Sequence, residues 1–174
     1  DWQLSTNVAH TQRAPKDYEL FANGPHLATH AYEVGNLNLE QEVSTNVDVG
    51  ASWKRGAHRF GVSVFANRFG NYLAQQASGI KRDAQGNGGN GVSVTDSGNG
   101  DNTSAESGGA AAILPEYLYT QVQARFVGLE ASGTVRLLAG PQTLDLELRG
   151  DIVRATNQAT GLPLPRIAPL RAGA

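Results

Sequence analysis

Leu37, Leu39, Gln41, Val43, Thr45, Val47, Val49, Ala51 and Trp53 fall on one parity of the chain, while Asn38, Glu40, Glu42, Ser44, Asn46, Asp48, Gly50, Ser52 and Lys54 fall on the other. Only an extended chain, whose side chains point to opposite faces at each step, sorts such a sequence into one apolar and one polar face. Wound at 3.6 residues per turn, the same residues would scatter around the axis. Three further segments share the pattern. QTLDLELRGDI sets Leu144, Leu146, Leu148 and Ile152 against Asp145, Glu147, Arg149 and Asp151. HRFGVSVFANRF sets Phe60, Val62, Val64 and Ala66 against Gly61, Ser63 and Asn67, with Phe65 and Phe69 out of pattern. In the stretch ending ARFVGLEASGTVRLL, Leu129, Ala131, Val135 and Leu137 oppose Glu130, Ser132, Thr134 and Arg136; the phase is lost before Gly128, where a bulge is expected.

The lengths discriminate between β architectures. Strands of soluble sandwiches average about five or six residues, whereas the longest of these segments reach about 17 to 20. A strand that crosses a bilayer at a tilt needs about nine to eleven residues and extends beyond it. Connections alternate in the same sense. KRGAH (Lys54–His58) and AGPQ (Ala139–Gln142) are short, whereas Ala14–Asn36 and Ala77–Glu116 are long, so all short turns lie on one side. The reading is an all-β, antiparallel, up-and-down transmembrane β-barrel segment of about five to six strands from a larger barrel, with long extracellular loops. Trp53 at one end, with Phe69, Tyr72, Tyr117 and Tyr119 at the other, is placed where interfacial aromatic girdles occur.

Composition narrows the function. The 14 basic and 16 acidic residues nearly cancel, so no global field recruits nucleic acid. Without cysteine there are no disulfides or thiolate metal sites, and no apolar run is long enough for a membrane-spanning helix. No nucleophile elbow, P-loop or dinucleotide fingerprint is present. The charged faces read as the lining of a wet lumen rather than as paired catalytic carboxylates, so no enzyme is expected. Opening in mid-pattern on DWQLSTNVAH and lacking methionine, the sequence is expected to be a piece of a longer chain. The stretch 79–115, with nine glycines between Gly79 and Gly109, predicts a flexible external loop; its DSGNGD piece lacks the ligand spacing of an EF-hand.

Several ordered motifs resemble the barrel region of TonB-dependent outer-membrane receptors. A strand ends in R-A-P (Arg13–Pro15), an ELF element follows (Glu19–Phe21), and G-N-x-x-L-x-x-E (Gly35, Asn36, Leu39, Glu42) opens the next strand. Downstream, ARFVGLEASG (Ala124–Gly133) is similar to the family's G-[LF]-E strand. LPLPRIAPLRAG (Leu162–Gly173) is similar to its N-x-P-x-R-x-P-P segment, with Ala168 in place of the first proline of the pair. The GPH-x-AT variant resembles receptors of the zinc, haem and siderophore branch.

The resemblance implies a Gram-negative outer-membrane location, a barrel of about 22 strands with a plug, and lipid, the TonB complex and a metal or metal chelate as partners. Plug, TonB box and closing strands are not in this stretch. It implies no resident cofactor, with zinc or a metal chelate as transported ligand. A passive porin or autotransporter barrel, and a soluble β-sandwich adhesin, are the alternatives.

His26, His30 and Glu33, spaced H-x3-H-x2-E in the first long loop, are the candidate metal ligands, because imidazole and carboxylate suit zinc. A structural GPH turn with a solvated His30 accounts for the same residues. His10 and His58 are poorer candidates, the latter lying in a short turn.

Overall fold

The computed structural model describes residues 1–88 and 113–174. Eight strands form one sheet: β1 (Trp2–Arg13), β2 (Asn23–His26), β3 (Ala31–Val34), β4 (Glu42–Arg55), β5 (His58–Arg82), β6 (Leu114–Leu138), β7 (Leu144–Asn157) and β8 (Arg171–Gly173). A five-residue helix α1 (Asp17–Phe21) and a 3-10 turn (Leu27–Thr29) lie between β1 and β3. Five long strands and the short β8 match the expected number, and β2 and β3 are additional. The chain divides into two compact units, one made of Asp1–Ala14, Gln41–Tyr72 and Val122–Ala174, the other of Pro15–Glu40 and Leu73–Gln121.

In the first unit the strand order is β1-β4-β5-β6-β7-β8, and the pairings of β1 with β4, β4 with β5, β6 with β7 and β7 with β8 are antiparallel. Register keeps like with like: Val8 pairs with Val47, Val49 with Val64, and Leu129 with Ile152. The apolar parity is the open one. Val62 and Val64 are 45% and 47% exposed, whereas Ser63 and Phe65, which alternate with them, are partly covered. No second sheet packs on this apolar stripe among the described residues. A protein that leaves a continuous apolar face open needs an apolar solvent for it.

The opposite face carries the packing. Phe65, out of the expected pattern, lies over Gly128, where an added Cβ would come within 2.3 Å of its ring. This close approach, rather than a bulge, explains the glycine: β6 pairs with β7 without interruption there, and the register irregularity falls at Arg136–Leu138 instead. The chain after β7 folds back over the same face. Leu164 packs with Ala124 and Ala155, joined by Phe69, Tyr72, Phe126 and Ile167, and the Leu164 amide donates to the Ala155 carbonyl at 3.0 Å. Phe69 and Tyr72 therefore belong to a small core and not to a girdle. At the short-turn end Trp53 stacks on Phe60 at 5.7 Å and pairs with Trp2, an aromatic belt as expected.

The short connections are tight. Arg55 pairs with His58 across a two-residue turn whose first residue, Gly56, has φ +59, a conformation that favours glycine. From His58 to Arg68 the outward positions of β5 read His, Phe, Val, Val, Ala, Arg. Ten steps at about 3.3 Å each give about 33 Å of strand. At a tilt of about 40° that projects to about 25 Å, the height of the apolar band on outer-membrane barrels.

In the second unit the long connection before β4 is ordered rather than irregular. β2 and β3 form a hairpin, and β3 joins β6 in parallel, Glu33 pairing with Tyr117, a departure from a purely antiparallel sheet. β4 starts at Glu42 and not at Leu37, because the Asn36 side chain accepts the Asn38 amide at 2.9 Å and its carbonyl accepts the Leu39 amide at 3.3 Å, closing a turn. β5 reaches Arg82 and β6 begins at Leu114, so the connection is shorter than the alternation alone suggests. The expected flexible loop falls largely on residues 89–112, outside the described residues, as does the DSGNGD piece.

Candidate ligand-binding loop and polar wall

The motifs of the first long connection are its joints. The Glu19 carboxylate accepts the Lys16 amide at 2.7 Å, satisfying an open donor at the start of α1, and the Glu19 carbonyl accepts the Asn36 amide at 3.0 Å. Gly35 donates to Ala22 at 2.7 Å, and a Cβ on Gly35 would stand 2.5 Å from the Leu20 carbonyl carbon and oxygen. ELF and GN are thus one knot of backbone, and the glycine is required by contact.

Beyond that knot, Gly24 and Pro25 lead into the hairpin, and His30 closes its 3-10 turn with φ 48. His26 Nδ1 lies 2.8 Å from Thr29 Oγ1 and 3.5 Å from Glu33 Oε1. Thr29 Oγ1 is also within reach of Glu33 Oε1 at 3.3 Å, and Glu33 Oε2 accepts the Tyr119 hydroxyl at 3.0 Å. Of the three residues singled out by spacing, the fold brings His26 and Glu33 together. His30 occupies the left-handed position at the end of the turn, and no group of three His, Cys, Asp or Glu able to hold a metal forms among the described residues. Both Glu33 oxygens already have partners. Burial, together with the Glu33 carboxylate, pushes the Tyr119 hydroxyl up to about 12, so it stays a donor at any physiological pH.

A second cluster in this unit escaped the sequence reading. Arg82 Nε donates to Glu116 Oε2, its Nη1 donates to the Gly86 carbonyl at 2.7 Å, and its guanidinium lies 5.5 Å from the Tyr32 ring centre. Glu116 is 2% exposed and Tyr32 4%. Burial pushes the Glu116 carboxyl up, but hydrogen bonds from Ser78 and Arg82, with the Arg82 charge, outweigh it and hold the group below the ordinary range. The pair links two strands across a 34-residue separation. No local pattern in the sequence marks such a link.

On the first unit's polar face the cross-strand partners form a ladder. Arg13 Nε meets Glu42 Oε1 at 3.3 Å, Thr11 meets Ser44 at 2.7 Å, and Asn7 donates to Asp48 at 3.2 Å. The Arg13 of R-A-P and the Glu42 that closes G-N-x-x-L-x-x-E are therefore one contact. Farther along, Asp151 holds Arg171 at 2.9 Å beside Glu130, lining a cavity of about 520 Å³ with Ser5, Gly50 and Ser132. Nothing here arranges a nucleophile, a base and an oxyanion hole. The chemistry is that of a wet wall. His10 lies on the apolar face, hydrogen-bonded to Thr45 at 3.1 Å, and His58 lies beside the short turn.

An outward apolar band, an inward polar ladder and short turns at one edge define the wall of an outer-membrane-type barrel. The chain belongs to the TonB-dependent receptor-like β-barrel family, whose model matches residues 1–174. The family consists of transport receptors, and its barrels are Gram-negative outer-membrane proteins. Among solved structures, the copper transporter OprC superposes with a TM-score of 0.64 at 17% identity, covering 98% of this chain and 21% of that one. The siderophore receptor PirA from Pseudomonas aeruginosa matches with a TM-score of 0.49 at 18% identity, over 91% of this chain and 25% of that one. The first likeness shows the fold, and the second adds no argument. The chain spans about a fifth of the length of OprC.

Proposed function

We propose that the chain is part of the barrel of an outer-membrane receptor that takes up a metal or metal chelate, such as zinc, a siderophore complex or haem, using energy delivered through TonB. The observation that carries this reading is the outward, open apolar stripe on a chain that the family model covers from end to end. The named cargo of OprC, copper, sets a metal as the class of ligand considered. In this reading the long connections face the exterior and bind cargo, and the polar ladder lines the lumen. The metal is cargo rather than a resident cofactor, and no covalent step is involved.

His26, His30 and Glu33 enter as candidate cargo ligands on the exterior side. Support comes from the 3.5 Å approach of His26 to Glu33. A metal bound there displaces the Thr29 and Tyr119 hydroxyls from the carboxylate and recruits His30 by moving the turn. Zinc titration of the full-length receptor against a His26→Ala/His30→Ala variant tests this part, and equal affinities eliminate it.

Uptake is tested in metal-starved cells expressing the full-length receptor, with and without TonB. Accumulation of radiolabelled zinc or ferric siderophore that requires TonB supports the proposal. Equal accumulation without TonB overturns it in favour of a passive porin.

A further inference from the structure

The polar face carries two cations at its short-turn end that no acid holds. Lys54 and Arg59 are direct cross-strand partners in the β4–β5 hairpin, on the inward parity, and both are exposed. Like charges set opposite each other repel. The other inward cations near this end have acids of their own: Arg136 donates to Asp145 at 2.9 Å and Arg149 to Glu147 at 3.0 Å. Asp145 also feels the Arg59 charge, but both of its oxygens are taken by Arg136. Neither the Lys54 nor the Arg59 side chain has a hydrogen bond or ion pair among the described residues.

A cavity of about 320 Å³ opens beside this pair, lined by Arg59, Arg149, Glu147 and the hydroxyls of Ser52, Ser132 and Thr134. The approach of Gly61 to Ser132 and of Gly128 to Phe65 sets β5 and β6 antiparallel, which brings Arg59 beside Thr134. Ser132 in turn pairs with Arg149, and Thr134 with Glu147. Lys54, Arg59 and Arg149 against Glu147 leave two positive charges around a recess of hydroxyl donors. Such a set recognises an anion, because guanidinium, ammonium and hydroxyl groups all donate to it and the charge is not cancelled from within.

The spacing of the cations sets the kind of anion. Lys54 and Arg59 share one rung, and Arg149 stands on the next inward rung, two residues or about 7 Å along the strands. A compact anion such as phosphate meets one rung, whereas carboxylates spread on a branched scaffold meet both. The inward parity also keeps the set away from the bilayer.

We infer that Lys54, Arg59 and Arg149, with the hydroxyls of Ser52, Ser132 and Thr134, form a binding site for a multivalent carboxylate anion on the polar face at the short-turn end. The inference rests on the receptor reading above and narrows its cargo to a metal carried as an anionic carboxylate chelate, since a bare metal cation is repelled at this end of the wall.

The probe is citrate, titrated calorimetrically at low ionic strength into the purified full-length receptor in detergent, beside inorganic phosphate. Lys54→Gln/Arg59→Gln is compared with wild type and with Arg125→Gln/Arg154→Gln, which removes the same charge from the outward face. Wild type and the outward-face control are expected to bind citrate equally, and Lys54→Gln/Arg59→Gln at least tenfold more weakly. Citrate should slow hydrogen exchange across 52–61 and 132–149 in the first two proteins only. Folding of each variant is verified by the heat-dependent gel shift of an intact barrel, and a single Arg59→Gln change, expected to lose several-fold, serves if the double variant does not fold. Equal citrate affinity in all three proteins overturns the site, as does phosphate binding as tightly as citrate or protection confined to the long connections. Uptake that proceeds with zinc alone and stops in excess citrate overturns the assignment of an anionic cargo. The two readings fail separately: a wild type that binds citrate through these cations yet accumulates label equally without TonB sinks the receptor reading and leaves the site, whereas a TonB-dependent receptor whose variants keep citrate sinks the site alone.

Discussion

Replacing Val64 by arginine places a cation near the middle of the outward band, between His58 and Arg68. If that face meets hydrocarbon, the cost is about 2–4 kcal/mol, against about 0–1 kcal/mol at an interfacial position on the same face. Thr45, which pairs with Arg68, supplies that interfacial control. At about 1.4 kcal/mol per tenfold, the Val64→Arg change lowers the folding equilibrium constant roughly 30- to 700-fold. The assay is denaturant unfolding of the full-length receptor in phospholipid vesicles, followed by the gel shift between folded and unfolded barrel. A half-exposed valine on a water-facing surface would tolerate the same change within about 0.5 kcal/mol. Equal unfolding midpoints for Val64→Arg, Thr45→Arg and wild type would refute the reasoning.

Three other changes probe particular contacts. Gly35→Ala forces a Cβ into the Leu20 backbone and is expected to cost about 1–3 kcal/mol; faster hydrogen exchange across residues 16–36 in the full-length receptor would show it. Gly128→Val drives the Phe65 ring off the inner face at a similar cost, and the double change Gly128→Val/Phe65→Ala should recover part of the loss in the gel-shift assay. Glu116→Gln removes the charge that Arg82 meets and should weaken the second unit by about 1.5–3 kcal/mol, read as faster exchange at 73–82 and 114–120. Because the folded Glu116 carboxyl is held low, its contribution is complete above the ordinary carboxylate range and disappears as the pH falls through its depressed folded value. Acidification should therefore loosen these segments in the wild type and make no further difference in Glu116→Gln.

The long strands and the face each residue presents were legible because a period of two survives any tertiary context that buries only one face. The alternation from Val43 to Trp53 reappears as the outward row of β4, and the Arg13–Glu42 contact joins two motifs that the sequence shows far apart. The loop was less legible. β3 pairs with β6 in parallel through only three residues, too few to print a period, and Leu37 continued the β4 alternation by coincidence within a turn that Asn36 closes. Phe65 and Phe69 looked like errors in an alternating pattern, yet they are the inward aromatics that the glycine at 128 and the small core require. For the candidate metal residues, spacing alone could not say that Thr29 and Tyr119 occupy the Glu33 oxygens, because Tyr119 comes from 86 residues away.

Spin labels placed singly from 60 to 67 along β5, in the full-length receptor freed of other cysteines and reconstituted in vesicles, measure the central claim residue by residue. Collision with dissolved oxygen should be high at 60, 62, 64 and 66, and collision with a water-soluble nickel chelate should be favoured at 61, 63, 65 and 67. Uniform accessibility along the strand, or the opposite phase, would contradict the account.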